Sequence, residues 1–214
     1  MKYYPVFLNL RGKKCVVIGG GRVAERKIRQ ILAARGDVTV ISPELTPGLK
    51  RLSRENKIHH IARQYRRGDT RNAFLVIAAT ADDQVNRTVS REFHGLLNVV
   101  DMPDYCTFIM PSVVSRGPLS LAISTSGVSP ALSRTIRKGL DAFIPEDVSR
   151  YLSYLRTVRK KILRSSPGSD EKTFRKRSLL LKRLGSPEIL QMLKDKGFKA
   201  TKTHLERIVR ETGL

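Results

Sequence analysis

The sequence predicts an α/β fold: a Rossmann-like parallel sheet, then a strand-helix region, then a small all-helical C-terminal domain. Three observations predict it. Short apolar runs alternate with amphipathic stretches through the first two-thirds of the 214 residues. The first run, Cys15-Val16-Val17-Ile18, leads straight into Gly19-Gly20-Gly21-Arg22-Val23-Ala24. Beyond Val148 the apolar positions follow helical spacing alone.

Taken in order, strands are expected at 15–18, 38–41, 58–61, 74–78 and 97–100, with helices at 24–34 and 83–93 among them. Ala24, Ile28, Ile31 and Leu32 make one apolar stripe at helical spacing. A strand, a glycine turn and a helix N-terminus in that order form a pyrophosphate cradle. Gly19 permits the tight turn, Gly21 lets the backbone approach the phosphates, and Ala24 lets helix and strand pack closely. The free N–H groups and dipole of the helix then face the anion. In such sheets ligands bind at the carboxyl ends of the strands. Three loops are expected there: 19–22, Ser42-Pro43-Glu44, and Ala79-Thr80-Ala81-Asp82.

After Asp101 the texture changes. Residues 108–114 and 119–124 read as two strands joined by Ser115-Arg116-Gly117-Pro118, a reversal signal. Ser124-Thr125-Ser126-Gly127-Val128-Ser129-Pro130 is a hydroxyl-rich loop, and Ser129 before Pro130 is an N-cap with proline at the first helical position. That helix is expected to run to about Ala142. Val148, Tyr151, Leu152, Leu155, Val158 and Ile162 share one face of the next. Ser165-Ser166-Pro167-Gly168-Ser169 reads as a linker. Short helices are expected after it: one with Phe174 and Leu179-Leu180-Leu181, one from Ser186-Pro187, and one capped by Thr203 with Glu206 as a capping box. The expected division is a cofactor domain over 1–112, a strand-helix region over 113–145 and a basic helical domain over 146–214.

Composition narrows the classes. Hydrophobic residues are 40% and charged residues 28%, a globular balance. No apolar run approaches a membrane span, so no membrane partner is expected. Met1-Lys2-Tyr3-Tyr4-Pro5 carries no secretory pattern, and two cysteines make neither a disulfide framework nor a zinc cluster. A cytoplasmic location follows as the expectation. The net charge is +22, and residues 150–214 alone hold 18 Lys+Arg against 6 Asp+Glu. Such a field attracts polyanions: nucleic acid, anionic lipid or a polycarboxylate. A nucleotide-sensing nucleic-acid-binding protein is the remote alternative. No stretch reads as a recognition helix with aromatic interleaving, so nucleic acid is not the expected partner.

Two positions carry the expected chemistry. At the end of the second strand, where dinucleotide folds often place an acid on the ribose, stand Ser42, Pro43 and Glu44. A serine can bond a ribose, Glu44 would repel a 2′-phosphate, and no arginine follows at once, so NAD is expected over NADP. Asp101 ends the run Asn98-Val99-Val100 at the mouth of a central strand, placed for a general base. The bland alternative is an acidic cap for the next turn. The four histidines have no ligand spacing, and no metal site is expected.

As an ordered set these motifs resemble the precorrin-2 dehydrogenase family, which includes the N-terminal module of siroheme synthases. The stretches that carry the resemblance are Pro5-Val6-Phe7-Leu8-Asn9-Leu10, Val17-Ile18-Gly19-Gly20-Gly21-Arg22-Val23-Ala24-Glu25-Arg26-Lys27, and Ala78-Ala79-Thr80-Ala81-Asp82. They continue with Asn98-Val99-Val100-Asp101-Met102-Pro103, Phe108-Ile109-Met110-Pro111-Ser112, Arg116-Gly117-Pro118-Leu119 and residues 124–132. The resemblance implies a homodimer that oxidises precorrin-2 to sirohydrochlorin with NAD. It places the family's aspartate on Asp101, nucleotide contacts on Gly21, Arg22, Val23, Pro43 and Glu44, and substrate contacts on Ser124, Thr125 and Ser126. Gly19, Ala24, Ser42 and Thr80 complete the expected cofactor site. An octacarboxylate tetrapyrrole agrees with the basic charge. Some relatives also insert iron into sirohydrochlorin, which leaves a bifunctional dehydrogenase and ferrochelatase as the alternative. No methyltransferase module is seen up to Leu214, so making precorrin-2 is expected to fall to another protein.

Overall fold

The structure is a computed structural model that describes residues 2–164 and 171–211. The chain divides into two compact units, Met1–Met110 and Pro111–Leu214.

The first unit is a five-stranded, all-parallel sheet in the order β3-β2-β1-β4-β5. Its elements run β1 (Lys14–Ile18), α1 (Arg22–Ala33), β2 (Asp37–Ile41), α2 (Pro47–Arg54), β3 (His59–Ile61), β4 (Leu75–Ala78), α3 (Asp83–Glu92) and β5 (Leu96–Val99). Both faces of the sheet are covered, which is why β1 and β4 read as unbroken apolar runs. Cys15 and Val17 point into a core with Ala24, Ile28, Ile31 and Leu49 from α1 and α2. Val16 and Ile18 point the other way, into a core with Val89 of α3. Chain order steps outward from β1 to β2 and β3, then returns to β4 on the other side, so the switch point opens beside β1.

The turns that shape this opening follow from local chemistry. Gly19 has φ 111°, a conformation that favours glycine, and a Cβ there would lie 2.3 Å from the Ala79 carbonyl oxygen. Thr46 caps α2 by accepting from the Leu49 N–H, with Pro47 in the first turn. Asp82 caps α3 by accepting from the Gln84 and Val85 N–H groups at 2.9 and 3.2 Å. A single 3-10 turn, Pro103–Tyr105, follows β5.

In the second unit, β6 (Ser112–Arg116) and β7 (Leu119–Ile123) form an antiparallel hairpin. Residues 108–111, expected to begin its first strand, lie outside it. Instead the Asn98 side chain donates to the Phe108 carbonyl at 3.1 Å, and Phe108 and Met110 pack against the core of the first unit. Proline cannot donate to a ladder, so pairing starts only after Pro111. Then come α4 (Pro130–Phe143), α5 (Val148–Arg164), α6 (Glu171–Leu184) and α7 (Pro187–Glu211). Ser129 caps α4 as expected, accepting from the Leu132 N–H at 3.2 Å. The face of α5 with Val148, Tyr151, Val158 and Ile162 packs with Leu180, Leu184, Leu193, Leu205 and Ile208. The expected linker at Ser165-Ser166-Pro167-Gly168-Ser169 lies outside the described residues.

The capping box at Thr203 does not form. Thr203 sits inside α7, its hydroxyl donating back to the Lys199 carbonyl. The break falls earlier, at Gly197 with φ 71°, and Asp147 caps the restarted helix by accepting from the Phe198 N–H at 3.1 Å. A cap supplied from fifty residues away overrides the local pattern. Among the described residues no helix is long and apolar enough to cross a membrane.

Candidate active site

A cleft of about 730 Å³ opens at the carboxyl ends of β1, β2, β4 and β5. Its lining includes Gly19, Gly20, Gly21, Arg22, Val23, Ser42, Thr80, Asn86 and Asp101. Residues expected for the cofactor and for proton transfer therefore share one cavity. Ala24 stands behind them, fully buried, where it seats α1 on the sheet. Pro43 and Glu44 are exposed on the turn after β2 and do not line the cleft.

The three glycines have different reasons to be glycine. At Gly20 a Cβ would come within 2.0 Å of the Glu44 carbonyl oxygen, so Gly20, like Gly19, is demanded by packing. At Gly21 a Cβ would meet nothing within 4 Å. Gly21 is also the N-cap of α1, and no side chain caps the helix there. The N–H groups of its first turn thus face the cleft without a partner among the described residues. A helix start of this kind, with open space over Gly21, fits the pyrophosphate of a dinucleotide such as NAD.

On the other side of the cleft, Asn86 is 2% exposed, and its amide nitrogen donates to the Thr80 carbonyl at 3.2 Å. Its side-chain oxygen is buried without a hydrogen-bond partner among the described residues. A buried, unsatisfied acceptor facing a cleft costs about 1–3 kcal/mol unless a ligand donor meets it. Sequence reasoning missed Asn86; the Asp82-Asp83 helix start four residues earlier was the available signal. Ser42 is 8% exposed, and its hydroxyl donates to the Glu44 carbonyl at 2.7 Å, so only its lone pairs remain for a ribose. His60 closes the same turn, its Nε2 lying 2.9 Å from the Ser42 carbonyl oxygen.

Asp101 is exposed at the cleft and has φ 59°, left-handed backbone that aspartate tolerates better than most residues. The turn around it is closed by the backbone, Met102 N–H to the Val99 carbonyl. No side chain caps the 3-10 turn that follows. Among the described residues the Asp101 carboxylate accepts no hydrogen bond, so it does not act as the cap of its own turn.

Beneath Asp101 lies a polar network that the sequence did not single out. Lys27, half-buried on α1, donates to the Asn98 side-chain oxygen at 2.8 Å and lies 3.4 Å from the Met110 sulfur. Burial pushes the pKa of its ammonium down and Arg26 pushes it further, while Cys106 and Asp101 act in the opposite sense. The Cys106 thiol donates to the Val99 carbonyl at 3.2 Å and accepts from the Val99 N–H at 3.2 Å.

Ser124, Thr125 and Ser126 belong to the second unit. The Ser124 hydroxyl accepts from the Ser126 N–H at 3.0 Å, and Thr125 Oγ1 accepts from the Ser129 N–H at 3.0 Å. Thr125 Oγ1 also lies 3.2 Å from the Ser133 hydroxyl, and Ser126 has φ 54°. The three residues thus form a tightly turned hydroxyl loop at the start of α4. Among the described residues no group of three or more His, Cys, Asp or Glu gathers as a metal site.

Comparison with known proteins agrees with this fold. Residues 6–112 match the family described as "Putative NAD(P)-binding", and residues 116–142 match "Sirohaem biosynthesis protein central". A siroheme synthase of Methylobacillus flagellatus is 40% identical over 178 residues, covering 81% of this chain and 38% of its own length. A siroheme synthase of Nitrosomonas europaea is 43% identical over 166 residues, covering 76% of this chain and 35% of its own. The chain therefore spans under two-fifths of the curated relatives it matches. Among solved structures, "SirC, precorrin-2 dehydrogenase" superposes with a TM-score of 0.75 at 26% identity, covering 96% of this chain and 100% of that one.

Proposed function

The chain belongs to the NAD(P)-binding family of siroheme biosynthesis proteins, and from that premise we propose that it oxidises precorrin-2 to sirohydrochlorin with NAD. The observation that carries this reading is a shared cleft: Asp101 faces the same cavity as Gly21 and the uncapped start of α1. NAD⁺, when bound, supplies the hydride acceptor. Gly19, Gly21, Arg22, Val23, Ser42 and Thr80, which line the cleft, would hold its phosphates and ribose, Ala24 seats the helix, and Pro43 and Glu44, on the exposed turn next to Ser42, would meet only the outer edge of the ribose.

The oxidation removes one hydride and one proton from adjacent positions of the macrocycle. Asp101 receives the proton at a carboxylate oxygen, which needs no acceptance of protons by the cofactor. Its freedom from hydrogen bonds among the described residues supports that role. Ser124, Thr125 and Ser126 contact the substrate in this reading, and the net charge of +22 supports electrostatic capture of an octacarboxylate.

The division into a cofactor domain over 1–112, a dimerisation region over 113–145 and a basic helical domain over 146–214 is part of the same proposal. A homodimer is supported by α4, where Leu132, Ile136 and Phe143 are 51%, 40% and 58% exposed on one stripe. A cytoplasmic location with no nucleic-acid partner completes it. The test is purified protein with freshly made precorrin-2 and NAD⁺. Sirohydrochlorin and NADH should appear together in equal amounts. A folded protein that forms neither would refute the proposal.

A further inference from the structure

Lys27 carries more than a solvated helix position would. It lies one turn into α1, the helix whose start cradles the cofactor, yet its ammonium points away from solvent to the Asn98 side-chain oxygen at 2.8 Å. Asn98 is 7% exposed on β5, three residues before Asp101. Its amide nitrogen donates to the Phe108 carbonyl at 3.1 Å and lies 3.6 Å from the Cys106 sulfur. Cys106 in turn is bound to both backbone groups of Val99 and lies 3.5 Å from the Met102 carbonyl oxygen. Val99 and Met102 are the two ends of the turn that presents Asp101. A continuous chain of polar contacts thus runs from the cofactor helix to the turn of the base.

We propose that Lys27 is a positioning residue for the oxidation: its ammonium, bonded to Asn98, locks the Asp101 turn to the cofactor helix. The inference rests on the reading of Asp101 as the proton acceptor. A hydrogen bond from a charged donor is worth about twice a neutral one, and it keeps the amide of Asn98 turned so that its nitrogen faces Phe108 and Cys106. The charged and titratable groups around the Asp101 turn are Lys27, Arg22 and Arg26 from α1, Asp83 and Arg87 from α3, and Asp104, Tyr105 and Cys106 from the segment after β5. Lys27 is the cation among them that the network holds from below. Burial lowers the pKa of this ammonium, with Arg26 adding to the effect, so the lock weakens on the alkaline side before ordinary lysines titrate near 10.5.

The test uses Lys27→Met and Lys27→Arg in the full chain. Single-turnover hydride transfer from precorrin-2 is expected to fall about tenfold or more in Lys27→Met, with the Kd for NADH changed by less than about threefold. Lys27→Arg keeps the cation and should recover most of the rate. In the cofactor-free wild type, carbon-13 methylated Lys27 should titrate below the surface lysines by NMR. A wild-type rate in folded Lys27→Met would overturn the proposal. So would equal losses in folded Lys27→Met and Lys27→Arg, or a Lys27 that titrates with the surface lysines; the NMR arm holds even where Lys27→Met fails to fold. Asp101→Asn measured alongside separates the two ideas. An unimpaired Asp101→Asn would refute the base, whereas the titration of Lys27 reports on the network itself.

Discussion

Replacing the glycines of the cradle one at a time separates cofactor contact from folding. In Gly21→Ala the new methyl enters open space, since a Cβ there meets nothing within 4 Å. Its backbone, φ −81° and ψ −177°, is ordinary extended geometry for alanine. Loss of glycine's freedom in the unfolded chain, about 0.4–1 kcal/mol, opposes the poorer N-cap that alanine makes, so stability should change by less than about 1 kcal/mol. In the proposed cofactor site the methyl would stand where the pyrophosphate approaches the backbone. NADH affinity should fall at least about tenfold, or ~1.4 kcal/mol. Gly19→Ala behaves in the opposite way. Its φ of 111° is unfavourable for alanine, and the Cβ would lie 2.3 Å from the Ala79 carbonyl oxygen. A clash with backbone combined with that strain should cost about 2–4 kcal/mol of stability. Urea unfolding followed by circular dichroism gives the stabilities, and the fluorescence of bound NADH gives the affinities. Wild-type NADH binding by Gly21→Ala, or wild-type stability of Gly19→Ala, would refute the reasoning.

Three further outcomes are expected. NAD⁺ should exceed NADP⁺ in kcat/KM by about tenfold if the exposed carboxylate of Glu44, two residues after cleft-lining Ser42, reaches the ribose end and repels a 2′-phosphate; equal use of the two would place Glu44 away from the ribose. Burial, aided by the charge of Asp37, pushes the Cys15 thiol from 9.0 up to about 11, so the folded chain holds a proton that the unfolded chain has lost. That stability is complete below pH 9.0 and is lost as pH rises to about 11, and Cys15→Ala should make the loss measured by urea titration between the two pH values smaller by about 2–3 kcal/mol, leaving the share of Tyr65 and Tyr151. In the proposed homodimer, Leu132→Glu with Ile136→Glu should weaken association at least about 100-fold and leave a folded monomer in sedimentation velocity, since both side chains are exposed on α4; a wild-type chain that sediments as a monomer would refute the homodimer.

What could be read from the sequence was what local chemistry decides. Cys15-Val16-Val17-Ile18 announced a strand buried on both faces, and Ala24, Ile28 and Ile31 announced the helix that covers one of them. Ser129-Pro130 marked the start of α4 because its cap is made within four residues. Where distant partners decide, the reading failed. Thr203-Glu206 imitates a helix start, but Gly197 and the carboxylate of Asp147 set the real one. Pro47-Gly48 conceals α2, whose cap Thr46 is anchored by Glu25 on another helix. The candidate site divides in the same way. Gly19, Gly21 and Asp101 stand out by spacing, whereas Asn86 and Lys27 are given no role by spacing until the sheet brings the Thr80 carbonyl and Asn98 to them.

The central claim is that Asp101 takes the proton released when precorrin-2 is oxidised. Asp101→Asn keeps the size of the side chain and leaves no hydrogen bond of the turn to repair, since the turn is closed by backbone between Met102 and Val99. The decisive measurement is the single-turnover rate of NADH formation from precorrin-2 at saturating NAD⁺, beside the Kd for NADH. The account predicts a rate lower by about 10² or more with an unchanged Kd. A correctly folded Asp101→Asn that oxidises precorrin-2 at close to the wild-type rate would contradict it.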